Sequence, residues 1–217
     1  MALVETLIGD LIFAFVIAGV YLLYTTMQNS MNRGQLMSDL QQNARIGLAE
    51  MTQEIRMAGY DPSGVISLVT TPPKSAIRAA STTCFSFVAD VSAPGVGPAS
   101  QITYDFNASS LRRRQDSWDS GKSDFGGGSA QPLAGSLAAL TFTYYDANNQ
   151  ELTPAAWTST LRCPPDSKAG AQSIIQLTFD QMRLMRRMSI TLKTQGSRPG
   201  VGSEFFTLTS DVRFRNF

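Results

Sequence analysis

The chain has 217 residues, a net charge of +1, a charged fraction of only 16%, two cysteines and no histidine. That length allows one domain of ordinary size plus an extra element, and the near-neutral balance argues against a nucleic-acid binder. Without histidine there is no Ser-His-Asp triad, Cys-His pair or HExxH zinc helix, and Cys84 and Cys163 are too few for a Cys₄ site and too far apart for a CxxC motif.

No charge occurs from Leu11 to Asn32, and the stretch from Leu11 to Tyr24 is almost wholly apolar. Met1–Val4 and Thr6–Gly9 extend it upstream, so residues 1–24 supply the roughly 20 residues that a helix needs to cross a bilayer. A secretory signal peptide fits poorly, because it would open on a basic region and close on a small-residue cleavage site. A buried core helix is the weaker alternative.

Glu5 and Asp10 interrupt this apolar run. A charge in hydrocarbon costs at least ~2.5 kcal/mol on insertion scales, so each acid must be paired, protonated or near an interface. Glu5 is close enough to the end to reach the headgroups of a lone helix. Alternatively it meets a cation from another chain, and an α-amine at Met1 of an axially shifted copy is the cation within reach.

Leu36, Leu40, Ala44, Gly47/Leu48, Met51, Ile55 and Ala58 recur at spacings of three and four, one face of an amphipathic helix over residues 25–60. Gly59 is placed as its C-cap, with Pro62 just beyond. One helix from Met1 to Ala58 would be on the order of 87 Å long. Its first half must lie in lipid or among other subunits. Gly9, Gly19, Gly34 and Gly47 within it are candidate close-packing or melting sites.

Beyond Asp61 the period becomes extended. Strands are predicted over 84–89, 101–106, 140–145, 174–179, 188–193 and 205–215, with a turn at 146–149 leading into Glu151-Leu152. Segments 91–100 and 116–136 read as exposed loops. The fold class is α+β: a long N-terminal helix whose second half packs on an antiparallel sheet domain, residues 61–217.

Met1-Ala-Leu-Val-Glu5 resembles the start of a mature type IV pilin or type II secretion pseudopilin. Leu40-Gln-Gln-Asn-Ala-Arg-Ile-Gly-Leu48, running into Glu54-Ile-Arg-Met-Ala-Gly-Tyr60, is similar to the PilW-type minor pilins. Phe142-Thr-Tyr-Tyr-Asp146 and Val212-Arg-Phe-Arg-Asn216 resemble stretches of that group and of its secretion counterpart GspJ. The resemblance is specific over residues 1–60 and weaker beyond. It implies the pilin fold and a non-enzymatic filament subunit with no cofactor or metal. Met1 is then the processed and methylated N-terminus, exposed when prepilin peptidase removes a basic leader, and Glu5 faces the amine of an adjacent subunit.

The implied partners are other major and minor pilins through the N-terminal helix, the peptidase, the inner-membrane assembly platform and a tip adhesin, with no nucleic acid. The implied route is a single pass in the inner membrane with a periplasmic C-terminal domain, then the extracellular pilus. The implied task is to prime assembly at or near the tip. Asp10 departs from the family's apolar stretch and is either paired with a partner subunit or carried protonated.

A domain delivered to the periplasm would oxidise Cys84 and Cys163 to a bridge closing a loop of about 80 residues, worth roughly 4 kcal/mol in the chain-entropy model. Two separate buried thiols are the alternative.

Other features are expected to be structural. Asp116 and Asp119 with Asp124 lack the spacing of a calcium loop and read as an exposed acidic loop. Arg112–Arg114 and Arg183/Arg186/Arg187 read as a solvated strand edge or subunit contact, and Met182, Met185 and Met188 as core packing. Gly126–Gly128 lacks the Lys-Ser/Thr of a P-loop and reads as a flexible loop. Two alternatives to a minor pilin are a minor pseudopilin of a type II secretion system and a membrane-tethered periplasmic binding module or enzyme.

Overall fold

In a computed structural model, residues 2–69, 75–91, 98–158, 174–198 and 202–215 are described. Helix α1 (Ala2–Arg56) is continuous over 55 residues, about 82 Å at 1.5 Å per residue. No proline interrupts it. From Val4 onward its first buried residue is Leu36, and from there Leu40, Ala44, Leu48, Met51 and Ile55 follow into the core. Ala58, next in the pattern, is buried just past the helix end.

The helix stops at Arg56, two residues before Ala58, the last helical residue expected. The N–H groups of Met57 and Ala58 donate to Glu54 O and Ile55 O, tightening the last turn. Gly59 then takes φ 81°, and its N–H donates to Val88 O at 2.9 Å instead of returning to the helix. The chain is thus pulled from the helix end onto the sheet.

After a short helix α2 (Val65–Leu68), the strands come in order: β1 (Ile77–Ala80), β2 (Cys84–Ala89), β3 (Ser100–Asn107), β4 (Ser110–Asp119), β5 (Asp124–Gly126), β6 (Ala130–Ala134), β7 (Leu137–Tyr145), β8 (Glu151–Leu152), β9 (Ala156–Thr158) and β10 (Ile174–Gln176). Helix α3 (Phe179–Leu184) precedes β11 (Arg187–Arg198) and β12 (Gly202–Arg213). Among the described residues all pairings are antiparallel. One sheet runs β1-β2-β3-β4, with β5 and β6 both on β4; a second runs β12-β11-β7-β8; β9 and β10 pair with each other.

Helix α1 lies across β11 and β12 and touches β6. Beneath it the core unites Met51, Ile55, Phe87, Tyr104, Leu111, Phe142 and Ile190. Phe85 stands at its centre, with the rings of Phe87, Phe142, Tyr144 and Phe214 at 5.5, 6.0, 6.1 and 6.2 Å. Such tilted contacts add to the area each ring buries.

Two expectations are corrected. Segment 116–136 is not an exposed loop, because β4 runs to Asp119 and β5 and β6 follow within it. The strand expected over 174–179 ends at Gln176, and Phe179 instead opens α3. There Thr178 accepts from the Gln181 N–H at 3.3 Å while Gln181 Oε1 accepts from the Thr178 N–H at 2.9 Å, a capping box.

Candidate assembly surface

The uncovered half of α1 is the candidate site. Among residues 4–35 none is buried, and Leu36 is the first side chain to reach the domain core. Up to Asn32, before Arg33 meets Glu204, α1 runs about 46 Å, more than the ~30 Å hydrocarbon thickness of a bilayer. An 18-residue window within α1 has a mean hydropathy of 2.2 and none of it is covered by the domain. Phe15 and Leu23 are 72% and 73% exposed. α1 is therefore long and apolar enough to cross a membrane, and a soluble globule would not leave so large an apolar surface bare.

Polar groups in this half are handled locally. The hydroxyls of Thr25 and Thr26 donate to Leu22 O at 3.0 and 2.8 Å, and Gln28 Nε2 donates to Tyr24 Oη at 3.0 Å. Such internal satisfaction is what a helix in an apolar medium requires. Glu5 and Asp10 are both exposed. Five residues apart, they point about 140° away from each other around the helix. One neighbouring helix cannot serve both. Met1 lies outside the described residues, as does Cys163. Cys84 is buried at the start of β2, and no cysteine among the described residues is free.

The second half of α1 is latched to the domain. Glu54 accepts from Arg113 Nη2 at 2.7 Å and Nε at 2.9 Å, and also from the Tyr104 hydroxyl in a very short contact. Burial, followed by the Glu54 charge, pushes the Tyr104 hydroxyl pKa far above its ordinary value. The hydrogen bond to Glu54 chiefly raises that of Arg113. Nearer the apolar half, Arg198 reaches Asp39 and Gln35, each at 3.0 Å, and Arg33 meets Glu204 at 2.8 Å.

The helix glycines divide accordingly. A Cβ on Gly47 would lie 3.0 Å from Leu111 and 3.2 Å from Ala134, so this glycine lets the helix approach β4 and β6. Gly9, Gly19 and Gly34 have nothing within 4 Å.

Asp116 is corrected from an exposed loop acid to a buried one, accepting from Arg114 Nη2 and the Gly128 N–H, both at 2.9 Å. Asp119 remains on the surface with Lys122, so the two acids occupy different environments. Gly126 closes β5 rather than lying in a flexible loop, and Gly128 packs against Gln115. Arg112, Arg113 and Arg114 are not a bare edge: each has a carboxylate, Asp105, Glu54 and Asp116. Arg187 pairs with Asp211 at 3.3 Å and stacks 4.0 Å above the Tyr145 ring, while Arg186 donates to the Arg183 carbonyl at 2.8 Å. Met182, Met185 and Met188 are core residues. Among the described residues no three histidine, cysteine or acidic side chains gather as metal ligands.

No protein-family model matches this chain, and no curated protein matches it. Solved structures similar to it include a type IV-like pilin from Thermus thermophilus, at 12% identity over 83% of this chain and 97% of that one, with a TM-score of 0.43. The architecture itself is α+β: a long, apolar N-terminal helix continuing into an antiparallel sheet domain.

Proposed function

We propose that this chain is a filament subunit, a minor pilin of the PilW type that helps to prime a type IV pilus at or near its tip. The observation that carries this is the division of one unbroken helix. Its N-terminal part is apolar, with no buried side chain over residues 4–32, and from Arg33 onward the helix is tied to the domain, at Arg33, Asp39 and Glu54. A mere tether would need no rigid continuation into the domain. A rigid rod fixed to a globule transmits the globule's position to whatever packs on the rod.

On this reading the apolar half spans the inner membrane before assembly and packs among other pilin helices afterwards, with the domain in the periplasm and then outside the cell. Glu5 faces the methylated Met1 amine of a neighbour. Asp10, on another face, meets a second neighbour. Cys84 and Cys163 form the domain's disulfide.

Glu5→Ala and Glu5→Leu test the pairing. Both should insert into the membrane normally yet be lost from sheared filaments. Normal incorporation of both variants would overturn it.

A further inference from the structure

A cleft lies at the far end of the molecule from the apolar rod, where the chain leaves α1 at Gly59. It is a cavity of about 320 Å³ between α2, the start of β1 and α3, large enough for a ligand. Ile66, Ile77 and Met182 make it apolar, and Arg183 and Arg186 stand at one side. The same elements leave Leu68, Phe179 and Leu184 exposed, as is Tyr60 beside Gly59. Among the described residues beyond α1, the other large apolar side chains so exposed are Ile175, on the strand before α3, and Phe205.

The two arginines are unmatched. Arg112, Arg113, Arg114 and Arg187 each meet a carboxylate, whereas neither Arg183 nor Arg186 meets one among the described residues. Arg186 commits Nη1 to the carbonyls of Arg183 and Met185, at 2.8 and 3.0 Å, which fixes its guanidinium and leaves Nε and Nη2 as donors. A cleft lined by one sign of charge favours an anion.

Main chain is on offer at the same place. β1 is an edge strand of its sheet. Ala76 O accepts from the Val88 N–H at 2.7 Å, so the backbone groups of Ile77 point the other way, to the open side. There the Ile77 carbonyl accepts from the Ser75 hydroxyl of its own segment at 2.5 Å, not from a neighbouring strand. The far end of this edge is closed, since the Leu177 N–H donates to Ala80 O at 2.9 Å.

We propose that this cleft binds the C-terminal end of a partner polypeptide. The last side chain is apolar and fills the cavity against Ile66, Ile77 and Met182. Its carboxylate meets Arg183 and Arg186, and the residues before it lie extended along the open edge of β1. A chain terminus carries an apolar side chain and a carboxylate on one residue, which no internal residue does. Binding of this kind needs no filament, so it stands or falls apart from filament membership.

Full chain in phosphatidylcholine nanodiscs is titrated into fluorescein-labelled Gly-Ser hexapeptides ending in Leu, Phe or Gly, each as free acid and as C-terminal amide, with fluorescence polarisation as the readout. The acids ending in Leu or Phe should bind. Their amides, and the acid ending in Gly, should bind at least about tenfold more weakly, the loss of one hydrogen bond to a charged group or of one buried side chain. Arg183→Gln/Arg186→Gln should weaken the Leu and Phe acids by at least the same factor and leave their amides unchanged, with the urea midpoint unaltered. Absence of binding by both apolar-ended acids, equal binding of acids and amides, or binding that survives the double substitution would overturn the proposal. Equally tight binding of an amidated peptide with an internal Leu-Glu pair would assign the arginines to an internal acid and overturn it too.

Discussion

Removing the Glu54 carboxylate by Glu54→Ala tests the latch between α1 and the sheet. Tyr104 is fully buried, and its hydroxyl would lose its acceptor, a cost of about 1–3 kcal/mol. Arg113 would lose a bidentate partner; truncating a fully buried pair costs about 3–5 kcal/mol. The Arg113 side chain is 21% exposed and keeps Gln115 at 3.1 Å and Glu50 at 3.8 Å, so its share falls well below that range. The sum expected is about 3 kcal/mol, and Glu54→Gln, which preserves an acceptor for Tyr104, should cost about half of that. The assay is urea unfolding of the full chain in detergent, followed by near-ultraviolet circular dichroism. In a Tyr104→Phe background the cost of Glu54→Ala should drop by ~1 kcal/mol, since the hydroxyl no longer needs a partner. A change within about 0.5 kcal/mol for Glu54→Ala would refute the latch.

Three further outcomes are expected. Burial raises the pKa of Tyr104 and of Tyr144, so the folded chain holds protons that the unfolded chain releases near pH 10. Stability should be intact below that pH and fall above it by ~1.4 kcal/mol per pH unit per tyrosine, with Tyr104→Phe removing one share; urea midpoints across alkaline pH would show this. A Cβ at Gly128 would lie 2.0 Å from the Gln115 carbonyl oxygen, whereas at Gly196 the nearest atom is a Leu36 methyl at 2.7 Å. Backbone cannot yield as a side-chain end can, so Gly128→Ala should lower the urea midpoint substantially more than Gly196→Ala. Reduction of the proposed Cys84–Cys163 bridge should cost roughly 4 kcal/mol, read as a drop in unfolding free energy with reductant and absent from a Cys84→Ser/Cys163→Ser chain.

What the residues disclosed in advance follows from where apolar periodicity is clean. Every residue of the stripe from Leu36 to Ala58 is buried, and β2 occupies the 84–89 segment that its alternation marks. β4 was illegible because its Arg-Arg-Arg-Gln-Asp run shows no apolar alternation. It lies within the sheet because Asp105, Glu54 and Asp116 neutralise its arginines, and those partners are set by strand register and helix docking. The sequence signal for α3 was present in Thr178-x-x-Gln181 but was outweighed by the apolar run before it. Of the candidate surface, the apolar stretch and its two acids are readable in the sequence.

Filament membership is tested most directly by shearing cells and measuring the mass of this chain's N-terminal peptide in the released filaments and in the inner membrane. A filament subunit predicts a peptide starting at methylated Met1 in the sheared fraction. An unmethylated start found solely in the membrane fraction would contradict it and leave α1 as a simple anchor.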